Sequence, residues 1–337
     1  MPRNFADRLL AEIDATQNPS CVGLDPRISR IPRAIRERAV ESRLAGFSGD
    51  RREALLEATA DAIVAFNKAV IDATADVVPA YKPNVAFYEC YGPAGLRAYR
   101  ETIAHIRQKG RIAIADVKRE DIGDTSKSYA DGFLGSVELA DGSSTSVFDA
   151  DAVTVSPYVG SDNTLQFVTV CAQQGRGAFI LVKTSNPSSG ELQDLRFDPQ
   201  HGSRTLYEQM ALLVDQWGTK CRGDRGYSSI GAVVGATFPE QAARIREMME
   251  NAIILVPAYG AQGGAAKDVM PNLNNDGYGA IINNSRNLIF AYTREPYSSK
   301  FGEAKFAEAA REDALAMRED LVSTMRASGR IPVGWAA

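Results

Sequence analysis

The sequence predicts a (β/α)8 (TIM) barrel, and three observations carry that prediction. Eight short apolar runs rich in Val and Ile recur along the chain, amphipathic stretches separate several of them, and 337 residues is a common size for one such barrel. The runs lack clean polar alternation, as strands buried on both faces should. A doubly wound open sheet shares this alternation of strands and helices, because strand number alone does not show closure.

At the N-terminus, MPRNFADRLLAEID spaces Phe5, Leu9 and Ile13 four residues apart, which predicts an amphipathic helix and not a leader peptide. SCVGLD (20–25) and VVPAYK (77–82) are the first two barrel strands, with the amphipathic stretch REALLEATADAIVAFNKAVIDA (52–73) between them. RIAIADVK (111–118), AVTVSP (152–157) and AFILVKTS (178–185) follow. After a second amphipathic stretch, RTLYEQMALLVDQW (204–217), come IGAVVGAT (230–237), AIILVPAYG (252–260) and YGAIINNS (278–285). An Ala- and Glu-rich segment, 303–326, should pack as a helix outside the barrel. The long connections 26–51, 131–150, 186–203 and 218–228 read as loop or helical insertions on one barrel domain spanning 1–337, with no internal repeats.

Composition excludes several function classes. No run approaches the ~20 apolar residues that a spanning helix needs, so a membrane role is not expected. A net charge of −4 gives no general attraction to nucleic acid. The Arg-rich segment 27–52 has Glu37, Glu41 and Asp50 mixed in and reads as solvated helix faces. Cys21, Cys90, Cys171 and Cys221 are scattered without a CxxC pair, which suggests neither a disulfide framework nor a zinc site. A cytoplasmic protein is the expectation. His105 and His201 are the only histidines, one in a helix-like stretch and one in a polar loop. Acid–base chemistry therefore falls to Lys and Asp.

The stretch IADVKREDIGDT (114–125) starts as an apolar strand and becomes a row of charges. Side chains alternate across a strand, so Ile112, Ile114, Asp116 and Lys118 share one face. The same parity groups Val78, Ala80 and Lys82, and also Cys21, Gly23 and Asp25. Asp25, Lys82, Asp116 and Lys118 are thereby offered to the C-terminal mouth of the barrel, where barrel enzymes place their chemistry, with Asp121 just beyond. A lysine fixed between aspartates stays protonated and is a positioned proton donor. From the residues alone, an ion-pair network that merely closes the barrel end remains an equal reading.

A second signal follows the seventh and eighth barrel strands, the usual phosphate site of this architecture. VPAYGAQGGAA supplies glycines and Gln262, and NNSR supplies Arg286, which can grip a phosphate bidentately. A plain flexible loop fits GAQGG as well. The Gly- and Asn-rich stretch 258–277 predicts a lid that orders over bound phosphate.

DVKREDIGDT resembles the DxKxxDIxxT signature of the orotidine 5′-phosphate decarboxylase family in its longer bacterial form. GLDPR (23–27), KPNVAFYE (82–89), VTVSPYVGSD (153–162), KTSNPSS (183–189), VVGAT (233–237) and YGAQGG (259–264) resemble that family's blocks, in its order. The resemblance implies decarboxylation of orotidine monophosphate to UMP, the last step of pyrimidine synthesis, by a homodimer using no metal or organic cofactor. It implies a catalytic array of Lys82, Asp116 and Lys118, completed by Asp121 from the neighbouring subunit, with Thr125 approaching the ribose from there too. Asp25 would bind ribose hydroxyls, Ser185 the pyrimidine edge, and Gln262 and Arg286 the phosphate. Two positions depart from the pattern: Glu120 and Ala258 stand where the family carries glycine. Glu120 brings a negative charge and a Cβ beside Asp121, and Ala258 stiffens the start of the phosphate loop.

Two other readings fit the same residues. One is a different phosphosugar lyase or a Schiff-base aldolase with Lys183 or Lys118 as nucleophile. The other is a nucleotide-binding barrel that has lost catalysis, with Glu120 as the cause.

Overall fold

The computed structural model describes residues 2–197, 203–257, 259–260 and 265–335. Ten strands follow one another along the chain: β1 (Ser20–Leu24), β2 (Ala80–Pro83), β3 (Ile112–Arg119), β4 (Val137–Glu138), β5 (Ser144–Thr145), β6 (Ala152–Val155), β7 (Gly177–Lys183), β8 (Ser228–Val234), β9 (Ala252–Val256) and β10 (Ala280–Asn284). Eight of them close in the order β1-β10-β9-β8-β7-β6-β3-β2, every neighbouring pair parallel. Closure is decided at β1, which pairs with β2 on one side and β10 on the other, so the open-sheet alternative is excluded.

Inside the barrel, Cys21, Ala80, Ile112, Ile114, Ala152, Phe179, Val233, Leu255 and Ile281 form one buried cluster with Phe5, Leu9 and Ile13. The expected N-terminal helix, Phe5–Thr16, thus plugs the barrel with its apolar face, and Phe5 meets Phe179 edge-on at 5.9 Å. The outer layer includes the helices Arg51–Thr74, Gly92–Gln108 and Phe306–Ala327, where Phe66 stacks against both Phe290 and Phe306. No described helix is long and apolar enough to cross a membrane.

The insertions take distinct forms. Residues 26–51 fold mainly into the helix Arg33–Leu44, whose Ala39 packs on Ala58 and Ala62. Part of 131–150 is neither loop nor helix: β4 and β5 make an antiparallel hairpin apart from the barrel. Within 186–203, Pro187–Glu191 forms a short 3-10 helix. Two strand irregularities shape the mouth. The β3–β6 register shifts between Ala115 and Arg119, where Lys118 takes a left-handed φ of 44°. The β7–β8 register shifts between Leu181 and Lys183.

Candidate active site

Three strand ends bring their charges to one point. β1 delivers Asp25, β2 delivers Lys82 and β3 delivers Asp116 to a cavity of about 220 Å³ at the C-terminal mouth, also lined by Asn84, Ser185, Tyr259, Asn283, Ser285 and Arg286. Lys82 Nζ donates to Asp116 Oδ2 at 2.6 Å, and Lys118 Nζ donates to Asp116 Oδ1. Thr154 Oγ1 donates to the same Oδ1 at 2.9 Å. One carboxylate therefore holds two ammonium groups. The Lys82 and Asp116 side chains are 7% and 6% exposed, whereas Lys118 is 46% exposed and can meet a ligand.

The electrostatics follow from this geometry. Burial favours the neutral acid at Asp116, but Lys82 and Lys118 outweigh it and hold the carboxyl well below the usual carboxylate range. Burial likewise favours neutral Lys82, but Asp116 and Asp25 outweigh it and keep the ammonium charged. Asp25 behaves differently. Burial pushes its carboxyl above the usual range, Asp116 adds to the rise, and Lys82 only partly opposes it. Its Oδ1 is buried with no hydrogen-bond partner among the described residues, and so is Asn283 Oδ1. Two lone acceptors in one cavity call for hydroxyl or N–H donors from a ligand.

Local packing fixes these strand ends. Tyr88 hydroxyl donates to Leu24 O at 3.2 Å, next to Asp25, and Tyr99 hydroxyl donates to Pro83 O at 3.2 Å, next to Lys82. Gly23 faces Ser285 so closely that a Cβ there would lie 1.8 Å from Ser285 Oγ. Gly235 presses on Ser185, where a Cβ would fall 2.7 Å from the serine Cβ. Ser185 is further fixed through its neighbours. Gln193 accepts from Thr184 N at 3.0 Å and donates to Thr184 Oγ1 at 2.8 Å, while Asp194 binds Lys183 Nζ at 2.8 Å.

The site residues expected from sequence divide into groups. Asp25, Lys82, Asp116, Ser185 and Arg286 line the cavity, and Lys118 reaches it through Asp116. Arg286 is exposed, and its side chain has no ion pair or hydrogen bond among the described residues. Asp121 and Thr125 do not line this cavity. Asp121 sits on the turn after β3, its N–H at 3.4 Å from Asn163 Oδ1, and Thr125 is exposed in the first turn of the helix Gly123–Phe133. Gln262, Ala258 and His201 lie outside the described residues. His105 pairs with Asp72 at 2.7 Å, on a helix away from the mouth.

The Glu120 carboxylate accepts from Ser156 Oγ at 3.0 Å and Val159 N at 2.9 Å, bracing the loop after β6. Two expectations are corrected. Lys183 does not face the cavity. The β7 register shift turns it outward, where it is fully buried against Asp194, with Phe238 at 4.8 Å and Tyr207 at 5.7 Å. In the stretch 258–277, Ala266–Val269 is helical and Val269 and Leu273 are buried, so that part packs as core and not as a lid. Sequence reasoning missed Asn84, Asn283, Ser285, Tyr259 and Thr154. NNS at the end of the eighth strand was the available signal for Asn283 and Ser285.

A wider groove of about 860 Å³ lies at the opposite, N-terminal side, lined by Arg225, Arg246, Asp276 and Arg330 among others. Its arginines are committed elsewhere: Arg246 to Gly279 O at 2.9 Å and Ala252 O at 2.8 Å, Arg225 to Asp14 at 2.7 Å. The charged mouth is the better candidate.

A closed parallel barrel with a buried carboxylate–ammonium array at its C-terminal mouth has the architecture of a barrel enzyme. Residues 21–296 match the model of the orotidine 5′-phosphate decarboxylase / HUMPS family, and the chain belongs to that family. Orotidine 5′-phosphate decarboxylase of Rhodopirellula baltica is 42% identical over 317 residues, 94% of this chain and 98% of the relative. The Petrotoga mobilis protein of the same name is 38% identical over the same shares. The solved structure of Leishmania donovani OMP decarboxylase superposes with a TM-score of 0.65 at 30% identity, covering 94% of this chain and 98% of that one. The enzyme class is that of the carboxy-lyases.

Proposed function

We propose that this protein decarboxylates orotidine 5′-monophosphate to UMP, as the last step of pyrimidine synthesis, with its own side chains as the only catalytic groups. The observation that carries the reading is Asp116 holding Lys82 and Lys118 together in a cavity that also contains Asp25, Ser185 and Arg286. When the bond from C6 to the carboxylate breaks, CO2 leaves and the electron pair stays on C6. No adjacent group delocalises that pair, so a fixed positive charge must stabilise it. Lys118 supplies the charge, donates a proton to C6, and regains one from water. Asp116 holds both ammonium groups in place before substrate arrives.

The remaining residues bind. Asp25 Oδ1, a buried acceptor without a partner, takes ribose hydroxyl donors. Ser185 meets the pyrimidine edge. Arg286, with no acidic partner among the described residues, takes the phosphate, and Gln262 closes on it. Binding energy from the remote phosphate then orders the reacting end.

The active form in this reading is a homodimer with shared sites. Asp121 and Thr125 stand outside their own cavity, on a surface where Ile122 is 57%, Tyr158 79% and Val159 43% exposed. The Glu120 bonds to Ser156 and Val159 join the two loops that carry these side chains. Such an apolar patch suits burial against a second copy, which would receive Asp121 and Thr125. Scattered cysteines and an absence of described membrane-length helices fit a cytoplasmic enzyme.

The test is a spectrophotometric assay of orotidine monophosphate loss by purified protein, with and without EDTA. Turnover in both supports the proposal. An inert protein that still binds UMP would point to a nucleotide-binding barrel, and EDTA-sensitive turnover would contradict a metal-free reaction.

A further inference from the structure

Thr154 lies in β6, 1% exposed, and does not line the cavity. Its hydroxyl makes three hydrogen bonds. It donates to Asp116 Oδ1 at 2.9 Å and accepts the backbone N–H groups of Val117 and Lys118, each at 3.0 Å. A hydroxyl has one donor and two acceptor sites, so the group is saturated. Both N–H groups belong to the stretch where the β3–β6 register shifts, so a side chain here stands in for the strand ladder. At the same place Lys118 has a φ of 44°, a conformation that a residue with a Cβ keeps only where its surroundings impose it.

We infer that Thr154 is a positioning residue for decarboxylation: its hydroxyl fixes the β3 bulge and the Asp116 carboxylate together, and so sets where the Lys118 ammonium stands. This rests on the reading of Asp116 and Lys118 as the catalytic pair. Thr154 touches no substrate. Substituting it changes the reacting geometry and leaves the ribose and phosphate contacts in place.

The experiment compares the full-length parent with Thr154→Val, Thr154→Ser and Thr154→Cys, each checked for folding by circular dichroism. Turnover of orotidine monophosphate and binding of UMP are then measured. Thr154→Val keeps the shape and removes the hydroxyl; kcat should fall about 10²-fold, since small misplacements of reacting groups cost that much. KM and the UMP Kd should stay within about threefold, the signature of an interaction felt mainly in the transition state. Thr154→Ser should recover most of the lost rate. Thr154→Cys, with a weakly bonding thiol, should lose about tenfold in kcat and decides the matter if the Val variant does not fold. A parent-like kcat in the Val or Cys variant would overturn the inference, as would a Ser variant as slow as Val, or UMP affinity falling in step with kcat. A parent that does not turn over orotidine monophosphate overturns the functional reading and this inference with it; an active parent isolates the failure to Thr154.

Discussion

Lys82 Nζ and Asp116 Oδ2 face each other at 2.6 Å between adjacent barrel strands, both side chains more than nine-tenths buried. At that separation an effective dielectric near 20 gives an attraction of about 6 kcal/mol. Removing the two charges from water costs several kcal/mol each, so the pair does little for net stability. Its presence fits the chemistry proposed for the mouth.

Breaking the pair should be expensive even so. Asp116→Ala leaves Lys82 buried without its main partner and should destabilise the protein by about 3–5 kcal/mol. The double variant Lys82→Met with Asp116→Ala should recover part of that loss while remaining inactive. Urea unfolding of the parent, single and double variants measures both. A double variant as unstable as Asp116→Ala would show that the cost lies in packing and not in an orphaned charge.

The titrations of the array have opposite signs. The Asp116 carboxyl is held below its unfolded value, so its contribution is present above about pH 4 and lost as pH falls through the folded value. Lys82 is held above its unfolded value, so its contribution is present below about pH 10 and lost as pH rises through the folded value. Asp25 runs against Asp116. Its raised value means the folded state holds that proton more tightly, so Asp25 reduces stability as pH climbs from about 4 through the folded value. Asp25→Asn should therefore stabilise the protein more at pH 8 than at pH 4, while weakening UMP binding by about 1.5–3 kcal/mol. Unfolding midpoints at the two pH values and UMP titrations test this. A variant no more stable than the parent at pH 8 would contradict an ionised, uncompensated Asp25.

The barrel was legible because its signal is periodic. Val- and Ile-rich runs such as IGAVVGAT and AIILV coincide with β8 and β9 to within a few residues, since double burial demands unbroken apolar sequence. Asp25, Lys82 and Asp116 were legible because side-chain parity holds along regular strands. Parity failed where strands stop being regular. Lys183 shares the parity of Phe179 and Leu181 yet turns outward at a register shift, and no single residue type announces such a shift. Thr154 was missed for a related reason: its partners Val117 and Lys118 lie on another strand, and sequence does not show that their N–H groups lack ladder bonds. The partners of Glu120 were not legible because the loop after β6, which receives it, is remote in sequence.

If Asp121 acts across an interface, inactive chains should complement. Lys118→Ala removes the proposed proton donor, should cut turnover at least 10²–10⁴-fold, and should leave the fold intact because that side chain is half exposed. Asp121→Ala should also be inactive. Mixed after subunit exchange, hybrid dimers carry one intact site and one doubly damaged site. Recovery toward a quarter of parent activity follows from random pairing. Proven exchange without recovery would place Asp121 and Lys118 in the same chain's site.

If Arg286 holds the phosphate, its loss should separate phosphate binding from the chemistry. It follows β10 at the cavity rim, exposed, with no acidic partner among the described residues, and Asn287 next to it donates to Gly260 O at 2.9 Å. That bond ties the arginine's turn to the segment after β9, the two flanks of the proposed phosphate site. Arg286→Ala should cost about 1.5–3 kcal/mol per lost charge-assisted bond, a drop of roughly 10- to 10²-fold in kcat/KM for orotidine monophosphate. The nucleoside orotidine has no phosphate for Arg286 to hold, so its much lower kcat/KM should hardly change. The measurement is kcat/KM for both substrates in the parent and in Arg286→Ala. Equal proportional losses would mean that Arg286 supports the turn after β10 and that the phosphate is bound elsewhere.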